Sequence, residues 1–138
     1  MPKTYTAPFA QTAKTSTAVV TAAAGNMTSD APTGLSLLMT AGDDGSIVTR
    51  LWAIPRGGVV ANSLLLYLQS AGDTAIRLID SEAMAAYTAS TTAAIPETAF
   101  GNYSETTPIR LGAGDKLYVG MQAAAAAGVI FRSEWSNY

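Results

Sequence analysis

Residues 108–120, Pro108-Ile109-Arg110-Leu111-Gly112-Ala113-Gly114-Asp115-Lys116-Leu117-Tyr118-Val119-Gly120, decide the fold class. Ile109 and Leu111 alternate with polar neighbours before the glycines, and Leu117, Val119 and Met121 alternate after them. A period of two belongs to strands that bury one face. Gly-Ala-Gly-Asp between the two runs reads as a tight reversal, because glycine adopts positive φ freely and Asp115 can bond its own backbone. The stretch therefore predicts two strands joined as a hairpin.

The same grammar extends in both directions. Thr15 to Ala22 is a β-branched run that predicts a first strand. A loop rich in Asn26, Ser29, Asp30 and Pro32 leads to a second strand over Leu35 to Thr40. Ala41-Gly42-Asp43-Asp44-Gly45 is a turn, and Ser46 to Ile54 is a third strand. Simple alternation puts Val48, Arg50, Trp52 and Ile54 on one face of it. Ile47, Thr49, Leu51 and Ala53 fall on the other, so both faces read as covered. Asn62 to Ser70 and Thr74 to Ile79 form a strand pair about Ala71-Gly72-Asp73. Asp80 to Tyr87 is alanine-rich behind a potential N-cap and predicts one short helix. A Thr/Ala-rich crossover from Thr88 to Thr107 precedes the opening stretch. After the loose-looking run Ala123 to Gly128, a last strand starts at Val129. Roughly eight strands, no βαβ alternation and one long crossover predict an all-β, antiparallel two-sheet sandwich of jelly-roll type over residues 12–138. Residues 1–11, with Pro2 and Pro8 around Tyr5 and Phe9, read as an extended N-terminal arm, since proline cannot donate to a ladder.

Composition narrows function by subtraction. The 138 residues contain no cysteine and no histidine. Thiolate chemistry, Cys-ligated metals, the usual nucleophile triads and the commonest general base are thereby removed. Charged residues are 13% of the chain, against about 25% in an average domain, and net charge is −2. That balance gives no electrostatic reason to approach nucleic acid or an anionic membrane. A low-charge surface suggests that partner chains cover part of it. No stretch approaches the roughly 20 apolar residues of a membrane-spanning helix, and the N-terminus lacks the apolar run of a signal peptide. Synthesis in a cytoplasm without an export signal is the expectation.

The acids do not assemble into a recognisable site. Asp43-Asp44 and Asp115 sit in glycine-flanked turns that explain them without calcium, and no EF-hand spacing is present. Glu134 is mid-strand with Arg132 on the same face, which predicts an ion pair across a ladder or an interface. Phosphate-binding, dinucleotide and Gly-x-Ser-x-Gly motifs are absent, so neither an enzyme nor a cofactor is expected. Among the aromatics, the mid-strand position of Trp52 favours core packing over a sugar-stacking platform. Trp135 and Tyr138 close the chain near Arg132 and read as interface-like. The candidate partner-binding residues are thus Tyr5, Phe9, Arg132, Glu134, Trp135 and Tyr138.

Over most of its length the chain resembles the small jelly-roll structural proteins of tailed bacteriophages and prophage-like particles. The likeness rests on Thr40-Ala41-Gly42-Asp43-Asp44-Gly45-Ser46-Ile47-Val48-Thr49-Arg50-Leu51-Trp52-Ala53-Ile54-Pro55, on Leu65-Leu66-Tyr67-Leu68 with Arg77-Leu78-Ile79, on Ile109-Arg110-Leu111 through Leu117-Tyr118-Val119-Gly120, and on Trp135-Ser136-Asn137-Tyr138. The resemblance implies a virion component on the capsid surface: a decoration or cement protein, commonly a homotrimer, that binds the major capsid protein. It carries no catalytic residues. A carbohydrate-binding module of a fibre or tail, using Trp52 or Trp135, is the alternative it leaves open.

Overall fold

The structure, a computed structural model, describes residues 12–138. These form nine strands and no helix: β1 Thr12–Val20, β2 Ser36–Thr40, β3 Ser46–Pro55, β4 Asn62–Gln69, β5 Arg77–Met84, β6 Thr98–Ala99, β7 Ile109–Leu111, β8 Lys116–Met121 and β9 Val129–Asn137. One sheet has the order β1-β9-β3-β6, with β7 also pairing β3. The other has the order β2-β8-β4-β5, and every pairing is antiparallel. The chain changes sheet at every connection except the β4–β5 hairpin and the β6–β7 excursion. This is the winding of a jelly roll. Val48, Leu51, Phe131 and Trp135 from one sheet meet Leu64, Leu66, Leu117, Val119 and Met121 from the other in a single core.

Two local readings change once pairing is known. The Gly-Ala-Gly-Asp link does not close a hairpin. β7 pairs β3 in the first sheet, while β8 lies between β2 and β4 in the second. The turn chemistry is as read, with Gly114 at φ 76° and Asp115 N–H bonded to Gly112 O at 3.2 Å, but it turns a corner between layers. The second change is at Asp80–Tyr87. Here Asp80 to Met84 continue β5, paired with β4 from Asn62↔Met84 to Leu66↔Asp80. Asp80, Glu82 and Met84 also alternate, and a ladder with a fully buried neighbour outweighs a few tenths of a kcal/mol per residue of helix propensity.

Strand β3 reverses its faces partway. A register shift between Val48 and Arg50 against β9 inserts Thr49 as a bulge. Val48 and Leu51, three apart, consequently both face the core, and Arg50, Trp52 and Ile54 face outward. Burial on both faces, present on β3 at Leu51, Trp52 and Ala53, is fuller on β4. Leu64 and Leu66 enter the core, whereas Leu65 and Tyr67, also fully buried, belong to the outer face. They are roofed by the β1–β2 connection, residues 21–35, which runs across the second sheet. Ala24 N–H bonds Met121 O, Gly25 and Thr33 bond each other twice, and Ile76 N–H bonds Asp30 O. Arg77 grips the Asp30 carboxylate through two bonds of 3.1 and 3.0 Å. A Cβ on Gly120 would lie 2.6 Å from Leu35 Cδ2, so the strap packs directly on β8 here and a larger residue would make the Leu35 side chain shift. The run 123–128 is also tied down, by Ala125 N–H to Thr21 O and Gly128 N–H to Ala125 O.

Candidate functional site

The outer face of the first sheet carries a contiguous group of charged and aromatic side chains. Its centre follows from register. Trp52 on β3 lies opposite Arg132 on β9, and Arg50 lies opposite Glu134. Residues two apart on a strand share a face, so these four form one square patch. The Arg50 guanidinium carbon sits 3.9 Å from the Trp52 ring centroid and that of Arg132 at 4.7 Å. Arg50 Nη2 also reaches Glu97 Oε1 at 3.3 Å, and Arg132 Nη2 lies 3.8 Å from Glu134 Oε1. The ion pairs are about half exposed, so each is worth about 0–1 kcal/mol. What they achieve is geometric: both guanidinium groups are held over the indole, which is left only 6% exposed.

Next to this patch lies an open groove of about 340 Å3. It exists because β3's outer edge has two partners with a gap between them. β6 pairs Trp52 and Ala53, β7 pairs Ser46 to Val48, and the bulged segment is left with one bond, Phe100 N–H to Leu51 O. Residues 100–108 bow away from the gap, and Thr49, Phe100, Tyr103, Glu105 and Glu134 line the space. Tyr103 points toward Asp80 at the rim of the sandwich. Burial and the neighbouring carboxylate together push its phenol up to about 12. Asn102 Nδ2 also reaches both Asp80 oxygens, at 3.4 and 3.3 Å. Among the described residues no three His, Cys, Asp or Glu side chains converge to hold a metal ion.

The expected interface residues separate in the structure. Arg132 and Glu134 share the outer face and pair with each other along β9, within one strand and not across a ladder or an interface. Trp135 faces the opposite way, into the core at 9% exposure, with Nε1 donating to Ser16 Oγ at 2.9 Å. It therefore drops out of any surface site. Tyr138 is partly buried and meets Arg110 rather than Arg132: Arg110 Nη1 donates to its hydroxyl at 3.2 Å, and its own N–H bonds Gly45 O. Tyr5 and Phe9 lie outside the described residues. Trp52 is buried as expected, but by two arginines on the outside rather than by the core. Sequence reasoning passed over Arg50 and Glu97. The Arg50-x-Trp52 and Arg132-x-Glu134 spacings signal one-sided patches, but only β3–β9 pairing shows that the two patches are one. No family model matches this chain, and no curated protein matches it either.

Proposed function

We propose that the protein is a structural component of a tailed-phage or prophage-like virion, a decoration (cement) protein that binds the major capsid protein lattice from outside and stabilises the head. The jelly-roll strand order carries this reading, taken with the sequence resemblance to virion proteins of that architecture. A rigid sandwich with two short-circuited faces supports it: one face is closed by the 21–35 strap, and the other presents a neutralised, half-exposed patch of paired charges. Such surfaces suit broad protein contact, in which neutral charge pairs set register more than they add affinity. Assembly as a trimer and contact through residues 1–11 belong to the same proposal. The glycan-binding alternative loses its platforms, since Trp135 is in the core and Trp52 is already stacked under guanidinium groups.

The test is co-sedimentation of the purified protein with undecorated capsid shells from a phage whose genome encodes it. Saturable binding, with raised shell resistance to heat, is the expected result. Deletion of residues 2–11 should leave a folded domain with weakened binding. Failure of the intact protein to bind such shells overturns the proposal.

A further inference from the structure

Among the described residues, the unpaired edge of strand β1 is built differently from the other edges of the sandwich. On the far side of its sheet, β3 is covered by β6 and β7. In the second sheet, β2 is only five residues long and is bulged against β8. β5 is bulged against β4 and turns Asp80 and Glu82 toward the inner side, where they pair with the core-facing Leu66 and Leu64. Short length, bulges and inward charges are the devices that prevent edge-to-edge pairing. β1 runs nine residues in unbroken register with β9, contains no proline, and has a single charge, Lys14.

The direction of its unused hydrogen-bonding groups is fixed from two sides. Phe100 donates to Leu51 O, so odd-numbered residues of β3 around Leu51 face away from β9 and Trp52 faces it. Arg132, opposite Trp52, then faces β3, and Ser133 faces β1. Ser16, paired with Ser133, must face β9, which leaves Thr15 and Thr17 aimed at the open edge. The second line comes from β2, which lies beside that edge: Ser36 Oγ donates to Val19 O at 2.9 Å. Val19 shares its parity with Thr17, Thr15 and Ala13. Among the described residues, Ala13, Thr15 and Thr17 present N–H and C=O groups to solvent in one straight row.

We propose that this row pairs with the β1 strand of a second copy, antiparallel about a two-fold axis, joining two five-stranded sheets into one. The strand is self-complementary in the way such an axis requires. Centred on Thr15 or on Ser16, the pairing keeps each Lys14 away from its own copy, opposite Ser16 or Ala18. It places threonines across from threonines, a favourable cross-strand pair. No other described edge offers three consecutive outward-facing residue pairs without a charge or a bulge. The contact closes at two copies. If the protein is a trimer, it links trimers and does not build them, so it stands or falls independently of shell binding.

Light scattering on the full-length protein across micromolar to millimolar concentration tests this, together with amide exchange at Thr15 and Thr17. Thr17→Pro removes a donor that faces away from β9, so it leaves the internal ladder whole and blocks pairing. A T15K/T17K double variant sets like charges across the axis on exposed positions. The expected result is an even-numbered assembly whose mass halves in both variants with the thermal midpoint nearly unchanged, and slow exchange at Thr15 and Thr17 in the parent only. A monomer or trimer throughout, a mass unaffected by both variants, or a mass that halves only on deleting residues 2–11 overturns the proposal.

Discussion

Asp115 binds Ala71 across the top of the sandwich: its Oδ1 accepts the Ala71 N–H at 2.9 Å, while Oδ2 accepts the Gly112 N–H at the same distance. One carboxylate thus ties the β7–β8 corner to the β4–β5 hairpin, 44 residues away in the chain. Its own carbonyl accepts from Ala41 N–H at 2.8 Å, which brings in the β2–β3 connection as well.

Asp115→Ala is therefore expected to loosen the β7–β8 corner and its tie to the β4–β5 hairpin, while the backbone bond from Ala41 stays. Loss of two charge-assisted bonds at a partly exposed site should cost about 1–3 kcal/mol in urea unfolding. Asp115→Asn keeps one acceptor oxygen and should fall between the parent and the alanine variant. Equal midpoints for all three proteins would show that the corner holds without the carboxylate.

Leu65→Ala should destabilise as much as Leu64→Ala, each by about 2–5 kcal/mol, although the two side chains point to opposite faces of β4. The reason is the strap over Leu65 and Tyr67. A markedly smaller loss at Leu65 would mean that the strap leaves this face open in solution.

The Tyr67 hydroxyl is fully buried with no partner, and burial pushes its phenol pKa up. Tyr67→Phe removes an unsatisfied polar atom without opening a cavity. It should be neutral or stabilising, by up to about 1 kcal/mol. A clear destabilisation in thermal unfolding would argue that a solvent molecule satisfies the hydroxyl.

Tyr103, held near 12 beside Asp80, makes stability fall in alkali. Its folded pKa lies above the ordinary value of 10, so the folded state keeps the proton longer than the unfolded chain. The associated stability is complete below pH 10 and is lost as pH rises toward 12. The loss should be on the order of 1–2 kcal/mol after allowance for solvent screening. In Tyr103→Phe the urea midpoint should decline less between pH 10 and pH 12 than in the parent. Parallel declines would remove Tyr103 as the source.

In a Trp135→Phe background, replacing Arg50 and Arg132 by alanine should raise acrylamide quenching of Trp52 severalfold, because the two guanidinium groups are its cover. The stability cost should be small, about 0.5–1 kcal/mol for each cation–π contact. Unchanged quenching would show that other atoms shield the ring.

Strand positions were largely legible because alternation is local: β3, β4, β8 and β9 lie where Ser46, Asn62, Lys116 and Val129 begin their apolar periods. The turns were legible for the same reason, as in the Gly114 and Asp115 chemistry. The patch around Trp52 was legible only in halves, since each strand displays its own two residues and nothing in either says that they adjoin. Trp135 was misplaced because a chain-terminal aromatic looks exposed until its strand is paired on both sides.

The amino-acid sequence by itself determined that the chain is an antiparallel β-sandwich without the groups for thiol or imidazole chemistry. Periodicity, turn residues and missing residue types are properties of short windows or of the whole inventory, and need no partner to be read. Only the tertiary structure decided which turns reverse a strand and which carry it to the other layer. It also decided that Asp80–Met84 is a strand, that Thr49 switches the faces of β3, and that among the described residues β1 is left unpaired on its outer edge from Ala13 to Thr17. Each of these depends on hydrogen bonds and burial between residues tens of positions apart, where competition among neighbouring strands outweighs the small preferences written locally.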